Sequence, residues 1–132
     1  MSFVAQLPVA CVSVSASLGG AERVLLDFAG RAAGHDIAPL VIVPKDGPLV
    51  EAARAAHVRV VVAAAQENFL GLSQRAARGV GDLGTFAAGL WSWSRTIARA
   101  AHAFERETNA GRAILFSNGF KAHLACSLLL GH

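Results

Sequence analysis

The sequence predicts an α/β fold, a doubly wound parallel sheet in three α/β/α layers, and three observations predict it. Short apolar, β-branched runs alternate four times with helix-period segments. Glycine or proline stands at most of the seams between them. With 132 residues and 54% hydrophobic content, the chain is the size of one ordinary domain and can cover such a sheet on both faces.

The elements follow in order. VACVSVSA (9–16) is short and β-branched, as a buried strand requires. It stops at SLGG, where Gly19 and Gly20 let the backbone turn sharply into the next segment. There Ala21, Val24, Leu25, Phe28 and Ala32 recur at helical spacing, with Arg23, Asp27 and Arg31 off that face, and Gly34 is expected to close the helix. IAPLVIVP (37–44) predicts a second strand. DGPLVEAARAAH (46–57) predicts a second helix, with Pro48 in its first turn, where a missing N–H is harmless. VRVVVA (58–63) predicts a third strand, and the glycine-bearing stretch 66–84 a loop holding one short helix. Phe86, Leu90, Trp93, Ile97, Ala101 and Phe104 recur at three and four residues and predict one long helix over 85–107. RAILFS (112–117) is the fourth strand and GFKAHLACSLLLG (119–131) the last helix.

Right-handed crossovers then predict the strand order 3-2-1-4. Strands one and four become neighbours whose connections leave on opposite faces, so a crevice opens at their C-terminal ends between SLGG and SNG. The N–H groups of the helix after Gly20 present partial positive charge there, suited to an anion such as a phosphate; a simple tight turn explains the same glycines. Pro39 strains this layout, because proline removes a ladder donor from a strand placed inside the sheet. Either the strand begins at Leu40 or the order differs.

Several function classes are excluded by what is missing. No block reaches the roughly 18 uninterrupted apolar residues of a membrane span, and the apolar start lacks the positive residues of a secretory signal. Cys11 and Cys126 stand alone, signalling neither a metal site nor a disulfide framework, so a cytoplasmic location is expected. His35, His57, His102, His123 and His132 do not pair at metal-ligand spacing. There is no Gly-x-Ser-x-Gly elbow and no Walker-type Gly-Lys-Ser/Thr segment. The net charge of +3 is spread along the chain rather than gathered into a run, and no nucleic-acid partner is expected.

Together, LGGAERVLLDFAGRAAGHDIAPLVIVPKDGPLVEAARAAHVRVVV and ILFSNGFKAHLACSLL resemble the N-terminal half of a GT-B-type glycosyltransferase of family 4, the retaining, sugar-nucleotide-dependent group. The GGAER turn, the GHD step into the second strand, the DGPL helix start and the SNGFKAH turn match in order, over nearly the whole chain. The resemblance implies one Rossmann-like domain over residues 1–132, incomplete within its first half, with the donor-binding C-terminal domain and its glutamate motif lying outside it. It implies a nucleotide-sugar donor, an acceptor held mainly by this half, no resident cofactor and no metal. Gly19 and Gly20 would approach the donor's phosphates or an acceptor phosphate, and Glu22 would orient the helix start or contact a ligand. Asn118, Gly119 and Lys121 would face the same cleft. Lys121 suits an anion, or plain solvation early in a surface helix; Asn118 equally suits a helix cap. Half a cleft is expected to transfer no sugar by itself, since positioning both substrates supplies the rate.

Other readings compete. A nicotinamide-binding module shares the fold class, but Gly19-Gly20-Ala21-Glu22-Arg23-Val24 lacks the Gly-x-Gly-x-x-Gly spacing. A non-enzymatic module binding a nucleotide or sugar phosphate is the alternative. Trp91 and Trp93 with Arg95 and Arg99 suggest a peripheral contact with the inner membrane face, against packing of Trp93, Ile97 and Phe104 on the sheet. An unpaired outer edge on strand four would favour self-association or a missing partner segment.

Overall fold

Period-two alternation in the first strand decides how the molecule is layered. In the computed structural model, which describes residues 6–71, 80–109 and 111–129, β1 (Leu7–Ser13) is buried from Pro8 onward. Ala10 and Val12 point to one face of the sheet, Val9 and Cys11 to the other. Each face therefore needs its own helical cover.

α1 (Gly20–Ala32) and α2 (Pro48–Ala55) cover the Val9 and Cys11 face through Leu25, Ala29, Leu49, Val50 and Ala53. α3 (Glu67–Gly71), α4 (Val80–Thr108) and α5 (Phe120–Ser127) lie on the other face, where Phe69, Trp93, Ile97, Phe104, Ala122 and Ala125 pack on Ala10, Val12, Leu40 and Ile42. β2 (Ile37–Val43), β3 (Arg59–Val62) and β4 (Ile114–Asn118) complete an all-parallel sheet in the order β3-β2-β1-β4, as the crossover rule predicts.

α4 is fastened by Trp93, which is fully buried and donates its indole N–H to the Ala63 carbonyl at 3.0 Å. Truncating a buried aromatic of this kind costs about 3–5 kcal/mol, so the helix is a fixed wall of the domain. The predicted face of this helix is the observed one, with Trp93, Ile97, Ala101 and Phe104 buried and Phe86 and Leu90 packed at its edge. Gly89 sits against the Phe69 ring, leaving no room for a side chain there.

Pro39 is accommodated without changing the order or shortening the strand. β2 starts at Ile37, but its pairing with β3 begins only at Leu40. At Pro39 the strand has a neighbour on the β1 side alone, where it lies opposite Val9, so no ladder bond to β3 is forfeited.

Two expectations for α1 need correction. Its buried face is Leu25, Ala29 and Ala32; Val24 is 71% exposed and Phe28 41% exposed, the latter stacked on Phe116 of β4 with ring centroids 6.0 Å apart. Ala21 is exposed as well. Nor does Gly34 close the helix in a left-handed conformation. A short 3-10 turn, Ala33–His35, follows α1, and the left-handed residue is Asp36 (φ 59°), a type that tolerates this region through its short polar side chain. The first strand also ends three residues earlier than expected, at Ser13, because the serines beyond it bond to their own turn. The short helix expected within 66–84 is α3, and 80–84 are not loop but the first turn of α4, which starts before the expected residue 85; residues 72–79 lie outside the described residues.

Burial pushes both thiols, Cys11 and Cys126, up to about 11, so each stays protonated at neutral pH. Among the described residues no helix is long and apolar enough to cross a membrane.

Candidate functional site at the C-terminal edge of the sheet

Parallel strands deliver their C-terminal ends to one edge, and the reversal of connection between β1 and β4 marks the place on that edge where sheets of this kind generally bind ligands. Ser13 pairs with Asn118, so these two strands end level with each other. The turn from β1 into α1 and the turn from β4 into α5 thus begin side by side.

The β1–α1 turn is held by its own serines. Ser13 Oγ donates to the Ser15 carbonyl at 2.9 Å, the Ser17 N–H donates to Ser15 Oγ at 3.1 Å, and the Ser15 and Ser17 hydroxyls lie 2.7 Å apart. Side-chain bonding of this type offers the backbone an alternative to extending the strand. Both neighbouring turns then brace it. On one side Gly47, which precedes α2, lies so close that a Cβ there would fall 2.8 Å from the Ala16 carbonyl oxygen, and the Leu49 N–H donates to that same oxygen at 2.8 Å. On the other side a Cβ at Gly119 would lie 3.0 Å from a Val14 methyl. Gly119 also has φ 100° and ψ 155°, a conformation essentially reserved for glycine.

α1 starts where the turn releases the chain, with the Arg23 N–H donating to the Gly19 carbonyl at 3.0 Å. Gly19 and Gly20 are exposed, and nothing lies within 4 Å of where a Gly20 side chain would begin. Glu22 folds back over this helix start: its Oε2 lies 2.9 Å from where a Gly19 Cβ would stand. A carboxylate in the first turn is favourable beside the partial positive charge of the helix N-terminus. It also means that a phosphate arriving here meets a carboxylate already in place, whereas a hydroxyl-bearing ligand meets an acceptor.

The β4 side divides into separate roles. Gly119 is the residue before α5, and the His123 N–H donates to its carbonyl at 2.9 Å. Asn118 ends β4, half-buried, and its side chain makes no capping bond to α5. Ser117 Oγ and His123 Nδ1 lie 3.1 Å apart. Lys121 is turned to its own fold. Its ammonium donates to the Phe69 and Leu70 carbonyls, each at 2.8 Å, and lies 5.1 Å from the Phe69 ring centre. Those carbonyls close α3, so Lys121 acts as a cap on that helix. Burial pushes its pKa below the ordinary lysine value.

Of the six residues singled out in the sequence, Gly19, Gly20 and Glu22 sit together at the α1 start, while Asn118 lies opposite Ser13 and Gly119 against Val14, at the beginning of the same β1–α1 turn. Lys121 is committed to α3. Sequence reasoning missed Gly47 and the three serines. Asp46-Gly47-Pro48 reads as a helix start, and nothing local reveals that Ala16 fills the space above the glycine. The alternation of serines in SVSAS was the available signal for a self-bonded turn.

Comparison with protein-family models, with curated proteins and with solved structures finds no match to this chain.

Proposed function

We propose that this domain is the acceptor-side half of a retaining glycosyltransferase that uses a nucleotide-sugar donor, and that its crevice at the β1 and β4 ends holds a hydroxyl-rich sugar compound. The observation that carries the reading is the contact between the two turns: Gly119 lies against Val14 and so draws the β4 tip onto the β1 tip, at the start of the turn that leads to the open backbone at Gly20. Glu22, half-buried over the helix start, supports the sugar part of the reading, since a carboxylate accepts hydrogen bonds from hydroxyls. The α1 N–H groups next to it supply partial positive charge for a phosphate reaching past that carboxylate. This edge meets the sugar and phosphates of the donor, and transfer itself requires a facing domain that holds the donor's nucleotide, because the rate comes from fixing both substrates and stabilising the leaving phosphate in one closed site.

The experiment is a thermal-shift titration with UDP- and GDP-sugars and with NAD, followed by an assay for sugar transfer. The reading expects a rise in melting temperature with a nucleotide sugar, none with NAD, and no transfer by this polypeptide alone. A rise with NAD only would replace it with a nicotinamide-binding module. Stabilisation by free nucleotide or sugar phosphate without any effect of the joined compound would replace it with a non-enzymatic binding module.

A further inference from the structure

Away from the crevice, along the outer flank of the sheet, α4 shows a second face. Trp91, Ser94, Arg95, Ala98, Ala101 and Glu105 recur at three and four residues, so they lie along one side of the helix. That side forms one wall of a groove of about 710 Å³; Leu115 of β4 and Leu128 and Leu129 after α5 form the other. Three large apolar side chains on this groove are markedly exposed: Trp91 at 51%, Ile114 at 50% and Leu128 at 38%.

The charges around it are unbalanced. Glu105 is the one acid on the groove among the described residues, and it is engaged: its Oε1 accepts from the Ala113 N–H at 2.9 Å and its Oε2 lies 3.2 Å from His102 Nδ1. Arg95 on the α4 wall and Arg112 on the β4 side are exposed and have no ion pair among the described residues. Apolar walls thus lie between two uncompensated guanidinium groups on opposite sides.

We propose that this groove is a docking surface for an amphipathic helix whose apolar stripe is flanked by acidic residues. The lining span from Trp91 to Glu105 gives the groove a length of roughly 21 Å at the helical rise, matching a helix of about fifteen residues. The stripe fills the space between α4 and Leu115, and carboxylates on its two flanks meet Arg95 and Arg112. This surface does not depend on the sugar-binding reading of the crevice.

The test uses two synthetic amphipathic helices with the same leucine stripe, one flanked by glutamates and one by lysines. Trp93 is fully buried, so a blue shift in tryptophan emission on binding reports Trp91. The intact chain should bind the glutamate peptide in preference to the lysine peptide. Arg95→Glu combined with Arg112→Glu should weaken glutamate-peptide binding roughly tenfold and favour the lysine peptide, with the far-ultraviolet circular dichroism unchanged. Equal binding of both peptides, no binding of either, or indifference to the charge reversal overturns the proposal. So does Trp91 shifting with phosphatidylglycerol vesicles while the glutamate peptide leaves it unmoved, which would make the surface a membrane contact.

Discussion

The turn after β1 and the turn after β4 hold equivalent places, each leading from the end of a parallel strand into a helix, yet their glycines answer to different constraints. Gly119 is fixed by the fold, through a positive φ that other residues rarely adopt and the Val14 side chain against it. Gly20 is constrained by neither, since its backbone is in an ordinary region and the space beside it is empty. A glycine that packing demands says little about ligands. One that packing leaves free, at the mouth of a crevice and the start of a helix, is the better marker of a site.

The largest expected effect tests the constrained turn. Gly119→Ala should lower stability by about 2–3 kcal/mol, from the disfavoured backbone conformation and the Val14 contact together, read as a fall in the urea midpoint at unchanged slope. A change near zero would show that the turn relaxes freely and would erase the contrast. Next comes Lys121→Met, which removes the ammonium's hydrogen bonds to the Phe69 and Leu70 carbonyls. It should cost about 1–2 kcal/mol and speed amide exchange in α3. Weakened nucleotide-sugar binding with stability unchanged would instead return Lys121 to the crevice. The smallest effect has the opposite sign. Gly20→Ala should stabilise the domain by about 0.4–1 kcal/mol, by narrowing the unfolded ensemble at a position that accepts alanine. Destabilisation would mean that Gly20, like Gly119, serves the fold.

How far each of these residues could be read from sequence follows the range of the interaction. The alternation of runs, the long helical period from Phe86 to Phe104 and the crossover rule depend on local pattern and chirality, and they led to the observed strand order. The exposure of Val24 and Phe28 could not be read the same way: helical spacing alone admits two adjacent faces for α1, and the sheet chose Leu25, Ala29 and Ala32. Pro39 looked like a conflict only because the extent of β3 cannot be seen from the second strand. In the site, Gly19, Gly20 and Glu22 are neighbours in sequence and were legible as a unit. Lys121 was not, because the carbonyls it serves come from a distant helix, and a cation early in a helix looks the same whether it faces solvent, ligand or protein.

The central claim is that the two turns form one pocket for a sugar compound, and amide chemical-shift mapping tests it most directly. Glycine amides resonate in a distinct nitrogen region, which makes Gly19, Gly20 and Gly119 easy to follow during titration with a nucleotide sugar. The account predicts that the Gly20 and Gly119 signals move together along one saturation curve. Shifts confined to one turn, or gathered at residues away from both, would contradict it.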